Sequence, residues 1–200
     1  MRKFGLELCR AARYDPSMRF VAFKTKLLAL ALFAGVGVSL YARENAVEVS
    51  FDFNRQGGIA SNQFAVWIED AQGRYVRTLY ATRFTADGGW RRRESSLPQW
   101  VRQSGLAGRS RAHIDALTGP TPGAGTLSYT WDGRDYAGRQ APPGEYRVLV
   151  EASLRWENRV VHTATITLGG TGRVVATPEF FGERPQERGM IGPVTVTFRP

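Results

Sequence analysis

Asp115–Glu151 reads DALTGPTPGAGTLSYTWDGRDYAGRQAPPGEYRVLVE, and its second half decides the fold. Leu127–Trp131 is a short apolar strand that runs into Asp132-Gly133, a turn pair in which glycine supplies a positive φ. Asp135 and Gly138 bound a second tight turn. Pro142-Pro143-Gly144 then stiffens the chain and releases it into Tyr146–Leu154, a long strand rich in β-branched and aromatic residues. Gly144 is expected where the chain turns sharply between Pro143 and that strand.

Strand patterns continue on both sides. Upstream, Val47–Phe53 (VEVSFDF) alternates, with Val47, Val49, Phe51 and Phe53 on one face. Gln63–Asp70 (QFAVWIED) and Tyr75–Thr82 (YVRTLYAT) follow, and Gln72-Gly73 between them predicts a hairpin. Phe64, Val66 and Ile68 share a face. Trp67 lies on the other, where a later helical segment would cover it. Downstream, strands are predicted at Val160–Leu168, Arg173–Thr177 and Val194–Arg199, with Gly169-Gly170-Thr171-Gly172 as a hairpin connection. Many short strands separated by turn signals predict an all-β sandwich.

The pattern breaks at Asp87-Gly88-Gly89. Ser96 is the expected N-cap of a short helix, with Pro98 in its first turn, Leu97, Trp100 and Val101 as an apolar patch, and Gly105 as its end. Arg111–Leu117 is expected to add another helical turn. This insertion, about residues 87–125, is too long for an ordinary loop of a sandwich, so function is sought there.

Charge is unevenly distributed over the 200 residues, whose formal net charge is +9. Seven of the 27 Lys and Arg, but only two of the 18 Asp and Glu, precede Arg43, so the remainder carries only about +4. The high pI is therefore largely a property of the leader and is poor evidence for nucleic acid, which is not expected as a partner. Lys3, Lys24 and Lys26 are the only lysines and Cys9 the only cysteine. Beyond residue 42 the chain has no disulfide, thiolate metal site or cysteine nucleophile to offer.

Lys24 and Lys26 precede Leu27–Leu40, an apolar run shorter than the roughly 20 residues of a membrane span. With Tyr41-Ala42 after it, the segment reads as a secretory signal helix cleaved near Ala42. An uncleaved anchor facing the periplasm is the alternative, and would be the chain's one attachment to the membrane. The domain plan is thus a signal or anchor over residues 1–42 and a single domain over 43–200.

No catalytic constellation stands out. There is no GxSxG elbow, no ligand spacing for zinc and no GK[ST] phosphate loop. The two histidines, His113 and His162, are far apart, and His162 sits in an alternating strand as a structural residue. Asp132 and Asp135 read as turn residues that satisfy local backbone N–H groups rather than as a cation site. Trp90-Arg91-Arg92-Arg93, with Trp100, Arg102, Arg109 and Arg111, has two readings. Arginine can hold a phosphate while Trp90 or Trp100 covers a flat ring. Alternatively, the arginines are a solvated loop whose tryptophans plug the insertion onto the sandwich.

Two resemblances extend this reading. Trp131-Asp132-Gly133-Arg134-Asp135, Gly138 and Pro143-Gly144-Glu145-Tyr146 resemble the Ig-like module of the flagellar hook-capping protein. This implies an Ig-like antiparallel β-sandwich with a short helical insertion, preceded by the signal helix. The wider pattern over Val47–Leu168 is similar to a family of predicted periplasmic proteins of unknown function, members of which accompany extracytosolic flavin-transfer systems. Asp115, Thr118, Gly119 and Thr121 match in position the acceptor motif of covalently flavinylated proteins. In that motif the last hydroxyl takes FMN through a phosphoester made by a separate flavin transferase. Pro120 stands where the motif has Ala, removing an N–H. The resemblance thus implies a non-catalytic exported protein, carrying FMN at Thr121 or serving a flavin transferase or membrane redox protein as an accessory. The alternative is a structural, assembly or ligand-binding Ig-like module of the envelope without flavin, in which Asp115–Thr121 is simply a Gly/Pro surface loop.

Overall fold

Alternation in Ala46–Phe53 (β1) buries Val47, Val49, Phe51 and Phe53 and leaves Asp52 in solvent. A strand of this kind needs a second apolar layer, and two sheets supply it. The computed structural model describes residues 46–58, 61–155, 157–183 and 189–199, which fall in one compact unit. The expected signal helix within Met1–Ala42 lies outside the described residues.

The strands after β1 are Gln63–Asp70 (β2), Tyr75–Thr82 (β3), Thr118–Gly119 (β4), Gly125–Trp131 (β5), Glu145–Arg155 (β6), Asn158–Thr167 (β7), Arg173–Val175 (β8), Thr177–Phe181 (β9) and Thr195–Arg199 (β10). One sheet has the order β5-β1-β10-β8 and the other β4-β3-β2-β6-β7-β9. Every pairing is antiparallel except β3 with β4. Phe51, Phe53 and Trp131 of the smaller sheet pack with Phe64, Ile68, Val148 and Val150 of the larger one. The architecture is an all-β sandwich with a short helical insertion.

The WDG…PPGEY segment carries the chain from one sheet to the other. Trp131 and Tyr146 are buried with ring centroids 5.0 Å apart in an edge contact. Trp131 Nε1 donates to Arg134 O at 2.8 Å and Tyr146 Oη to Pro142 O at 2.6 Å, so each ring secures the loop beside it. Gly133 has φ 72° and Gly144 φ 151°, as the turn reading requires.

The six-stranded sheet is buried on both faces along β6. Val148, Val150 and Ala152 face the other sheet, while Leu149, Glu151 and Ser153 lie under the insertion. That insertion comprises a π-type turn Thr85–Gly89, a helical turn Trp90–Arg92, and two short helices, Pro98–Ser104 (α1) and Arg111–Leu117 (α2). Trp67, Leu97, Trp100 and Leu106 form a second core with Leu149 and Val161. Burying each tryptophan removes on the order of 150–250 Å², about 4–6 kcal/mol of transfer free energy before entropy is subtracted. Trp67 therefore lies where its strand face placed it.

Three local expectations change. Gly169–Gly172 is not a hairpin: β7 belongs to the larger sheet and β8 pairs with β10 in the smaller, so this connection crosses between sheets. Arg173–Thr177 is not one strand, because the chain recrosses at buried Ala176 to pair β9 with β7. Nor does Ser96 cap α1. Its hydroxyl is buried against Thr85 Oγ1 at 2.6 Å, and Leu97, at φ 52°, is the cap residue. The first-turn N–H groups of Gln99 and Trp100 donate instead to the Glu151 carboxylate on β6, at 3.2 and 2.8 Å. The end of α1 is as expected, with Gly105 left-handed at φ 62°.

Candidate functional site

The Asp115–Thr121 segment begins on α2. Ser110 Oγ caps this helix by accepting from His113 N at 3.3 Å. Asp115 is exposed one turn on and pairs with Arg111 at 3.3 Å, and Arg111 also binds Asp87 of the π-type turn. After Leu117 the backbone becomes extended, and Thr118 and Gly119 pair in parallel with Ala81 and Thr82 at the edge of the larger sheet. A Cβ on Gly119 would lie 2.9 Å from the Tyr80 ring, so the close approach requires glycine. Tyr80 Oη donates to Pro120 O at 2.6 Å. Thr121 follows, half-buried.

The four residues singled out from sequence thus have different settings. Asp115 is on an exposed helix, Thr118 and Gly119 are in the sheet, and Thr121 is just beyond it. The segment is fastened down rather than held open as a Gly/Pro loop. Thr118 Oγ1 is buried and, among the described residues, has no hydrogen-bond partner. Beneath Gly119 and Pro120 runs a column of rings: Tyr129 on Tyr80 at 4.9 Å, Tyr80 on Phe64 at 5.4 Å, and Phe64 on Phe51 at 5.6 Å. Burial pushes the phenols of Tyr80 and Tyr129 up, so both stay protonated at neutral pH.

Between the π-type turn and α2 is a cleft of about 250 Å³. Asp87, Trp90, Arg91, Arg109, Arg111 and Ile114 line it. The Arg91 guanidinium lies 4.7 Å from the Trp90 ring centroid. Arg109 donates through Nε to Ser104 O at 3.0 Å and stacks between Tyr136 and Tyr75, 4.7 and 5.5 Å from their centroids. Burial, reinforced by the Arg109 charge, lowers the His113 pKa. Trp100 is 1% exposed and bonds Thr78 Oγ1 at 2.9 Å, so it is a core residue and cannot cover a ligand ring. Trp90 is half-buried at the cleft wall.

A larger groove, about 480 Å³, lies between the β2–β3 turn and the WDG…PPGEY loop. Two copies of one turn frame it, Asp70-Ala71-Gln72-Gly73-Arg74 and Asp135-Tyr136-Ala137-Gly138-Arg139. In each, Asp Oδ1 accepts from the backbone two and four residues on, and Oδ2 accepts from Arg Nε, at 2.6 Å in the first and 2.9 Å in the second. These bonds outweigh the effect of burial, and both carboxyls sit below the usual range. The D-x-x-G-R repeat was present in the sequence, but reading each turn alone concealed it. Asp132 likewise accepts from Arg134 N and Arg77. Among the described residues, no group of three or more His, Cys, Asp or Glu is placed to hold a metal ion.

A family model described as a predicted periplasmic protein (DUF2271) matches residues 44–180. The chain belongs to the DUF2271 family. The match takes in β1 through most of β9, with the insertion and both clefts. The family assigns the protein to the periplasm and gives it no function. No curated protein and no solved structure matches this DUF2271 chain. Among the described residues, no helix is long and apolar enough to cross a membrane.

Proposed function

We propose that this periplasmic protein is a non-catalytic component of an envelope flavin-linked redox system and carries FMN as a phosphoester on Thr121. The observation that carries the reading is the Asp115, Thr118, Gly119, Thr121 spacing from the end of α2 onward, the same helix whose Arg111 and Ile114 line a cleft with Arg91, Arg109 and Trp90. A phosphodiester at Thr121 needs nearby cationic groups, and guanidinium is suited to it. Trp90 offers an aromatic surface for a flavin ring, and Asp115, exposed on the helix exterior and paired with exposed Arg111, is accessible to a flavin transferase.

Co-expression with a flavin transferase tests this. The protein gains the mass of FMN less one water, the label maps to the peptide containing Thr121, and Thr121→Ala abolishes it. Asp115→Ala reduces labelling without unfolding the domain. Pro120→Ala separates motif from function: labelling only in that variant means that this chain has lost the acceptor role. Absence of label in both forms, with a transferase active on a control acceptor, rejects the carrier.

A second reading is an envelope binding module without flavin. The twin-turn groove favours it, being larger than the cleft beside α2. Loss of binding on mutation of Tyr136, with Thr121→Ala silent, would support this alternative.

A further inference from the structure

Some arginines of this fold are neutralised. Arg74, Arg77, Arg111, Arg139, Arg147 and Arg159 each have a carboxylate partner. Arg83, Arg91, Arg92 and Arg93 are all exposed and, among the described residues, have none. Asp87, the acid between them, is occupied by Arg111. Glu94 is the one exposed acid directly beside them.

These four charges stand on a rigid support. Thr85, Ala86 and Gly89 are buried at its root, and Thr85 is tied to Gln63 and Ser96. A Cβ at Gly89 would lie 2.2 Å from Phe84 O, so the turn closes this tightly only with glycine there. At the tip Phe84 is 38% exposed, and the Arg92 and Arg93 guanidinia lie 5.4 and 5.5 Å from its ring centroid. Arg91 lies on Trp90 in the same way. Arginines held over partly exposed aromatic rings match a water–lipid interface, where rings sit at headgroup depth and guanidinia meet phosphates.

We propose that the Arg83–Arg93 turn is a docking surface for an anionic phospholipid membrane. Two observations favour a membrane over a soluble anion. Arg92 and Arg93 line none of the cavities described, and they share the tip with an exposed ring. The compartment assigned by the family is also bounded by lipid. The proposal does not depend on Thr121 or on flavin.

The test is co-sedimentation of the full chain with vesicles of phosphatidylcholine alone and of phosphatidylcholine mixed with phosphatidylglycerol. The readout is the ratio of binding to the two, compared between variants, because the leader's apolar insertion and its basic residues are the same in every variant. The ratio should be high at low salt and collapse at high salt. Each arginine contributes about fivefold, so Arg92→Gln lowers it about fivefold and the Arg91→Gln, Arg92→Gln, Arg93→Gln triple variant about a hundredfold. A control removing equal charge elsewhere, Arg55→Gln, Arg134→Gln and Arg173→Gln, should leave most of the preference intact. A wild-type ratio near one, a ratio unchanged in the triple variant, or an equal fall in the control overturns the proposal. So does release of the bound protein by soluble polyphosphate at matched phosphate concentration, which identifies a free anion as the ligand.

Discussion

His162 is 4% exposed on the face of β7 that carries Val160, Ala164 and Ile166, and among the described residues neither ring nitrogen has a hydrogen-bond partner. Burial lowers its pKa to about 4 from an ordinary 6.5. The folded protein therefore refuses a proton that the unfolded chain accepts. The associated stability is present in full above pH 6.5 and drains away as pH falls toward 4, by about 3 kcal/mol in all. His162→Leu should flatten this part of the stability–pH curve, measured as the difference between the variant and wild-type urea midpoints. Equal slopes in the two proteins would show that the ring charges without cost. Gly144 gives a second residue-scale prediction. Its φ of 151° is unfavourable to any Cβ although the surrounding space is open. Gly144→Val should cost about 1–3 kcal/mol from backbone strain alone. A thermal midpoint that does not move would contradict this.

The clearest element-scale device is α1, whose first turn is capped from another element. Glu151 is fully buried and receives Gln99 N, Trp100 N and Arg159 Nη1. Burial pushes its carboxyl up, and those donors pull it back. Glu151→Ala would leave a half-buried guanidinium and two N–H groups without this acceptor, a loss of about 3 kcal/mol. Glu151→Gln should lose less, since one oxygen remains. Chemical denaturation of the two variants checks the order. This cap also shows what could be read from sequence. The strand faces of β1, β2 and β6, the side taken by Trp67, and the glycine at the end of α1 follow from local periodicity and turn chemistry. The cap did not, because Ser96 was the nearest candidate and the true acceptor is more than 50 residues away. Gly169–Gly172 suits a hairpin and a sheet crossing equally well, and only the pairing of β8 with distant β10 selects between them. Thr118-Gly119 looked like open loop for the same reason, since its parallel pairing with β3 crosses the whole insertion.

At the scale of the molecule, the sandwich is a scaffold and the insertion is its equipped face. One sheet surface is covered by α1 and the second core. Around that cover lie the Asp115–Thr121 segment, the Arg91–Arg111 cleft and the unpaired arginine turn. The proposed association of the arginine turn with an anionic membrane and the proposed flavin at Thr121 are separable, and Thr121→Ala should leave vesicle binding unchanged. The central claim is the phosphoester itself. Its most direct test is the intact mass of the protein isolated from its native envelope fraction, taken after denaturation so that only covalent groups remain. The expected mass is that of the chain plus FMN less one water, with the yellow peptide containing Thr121. The unmodified chain mass throughout the population would contradict it.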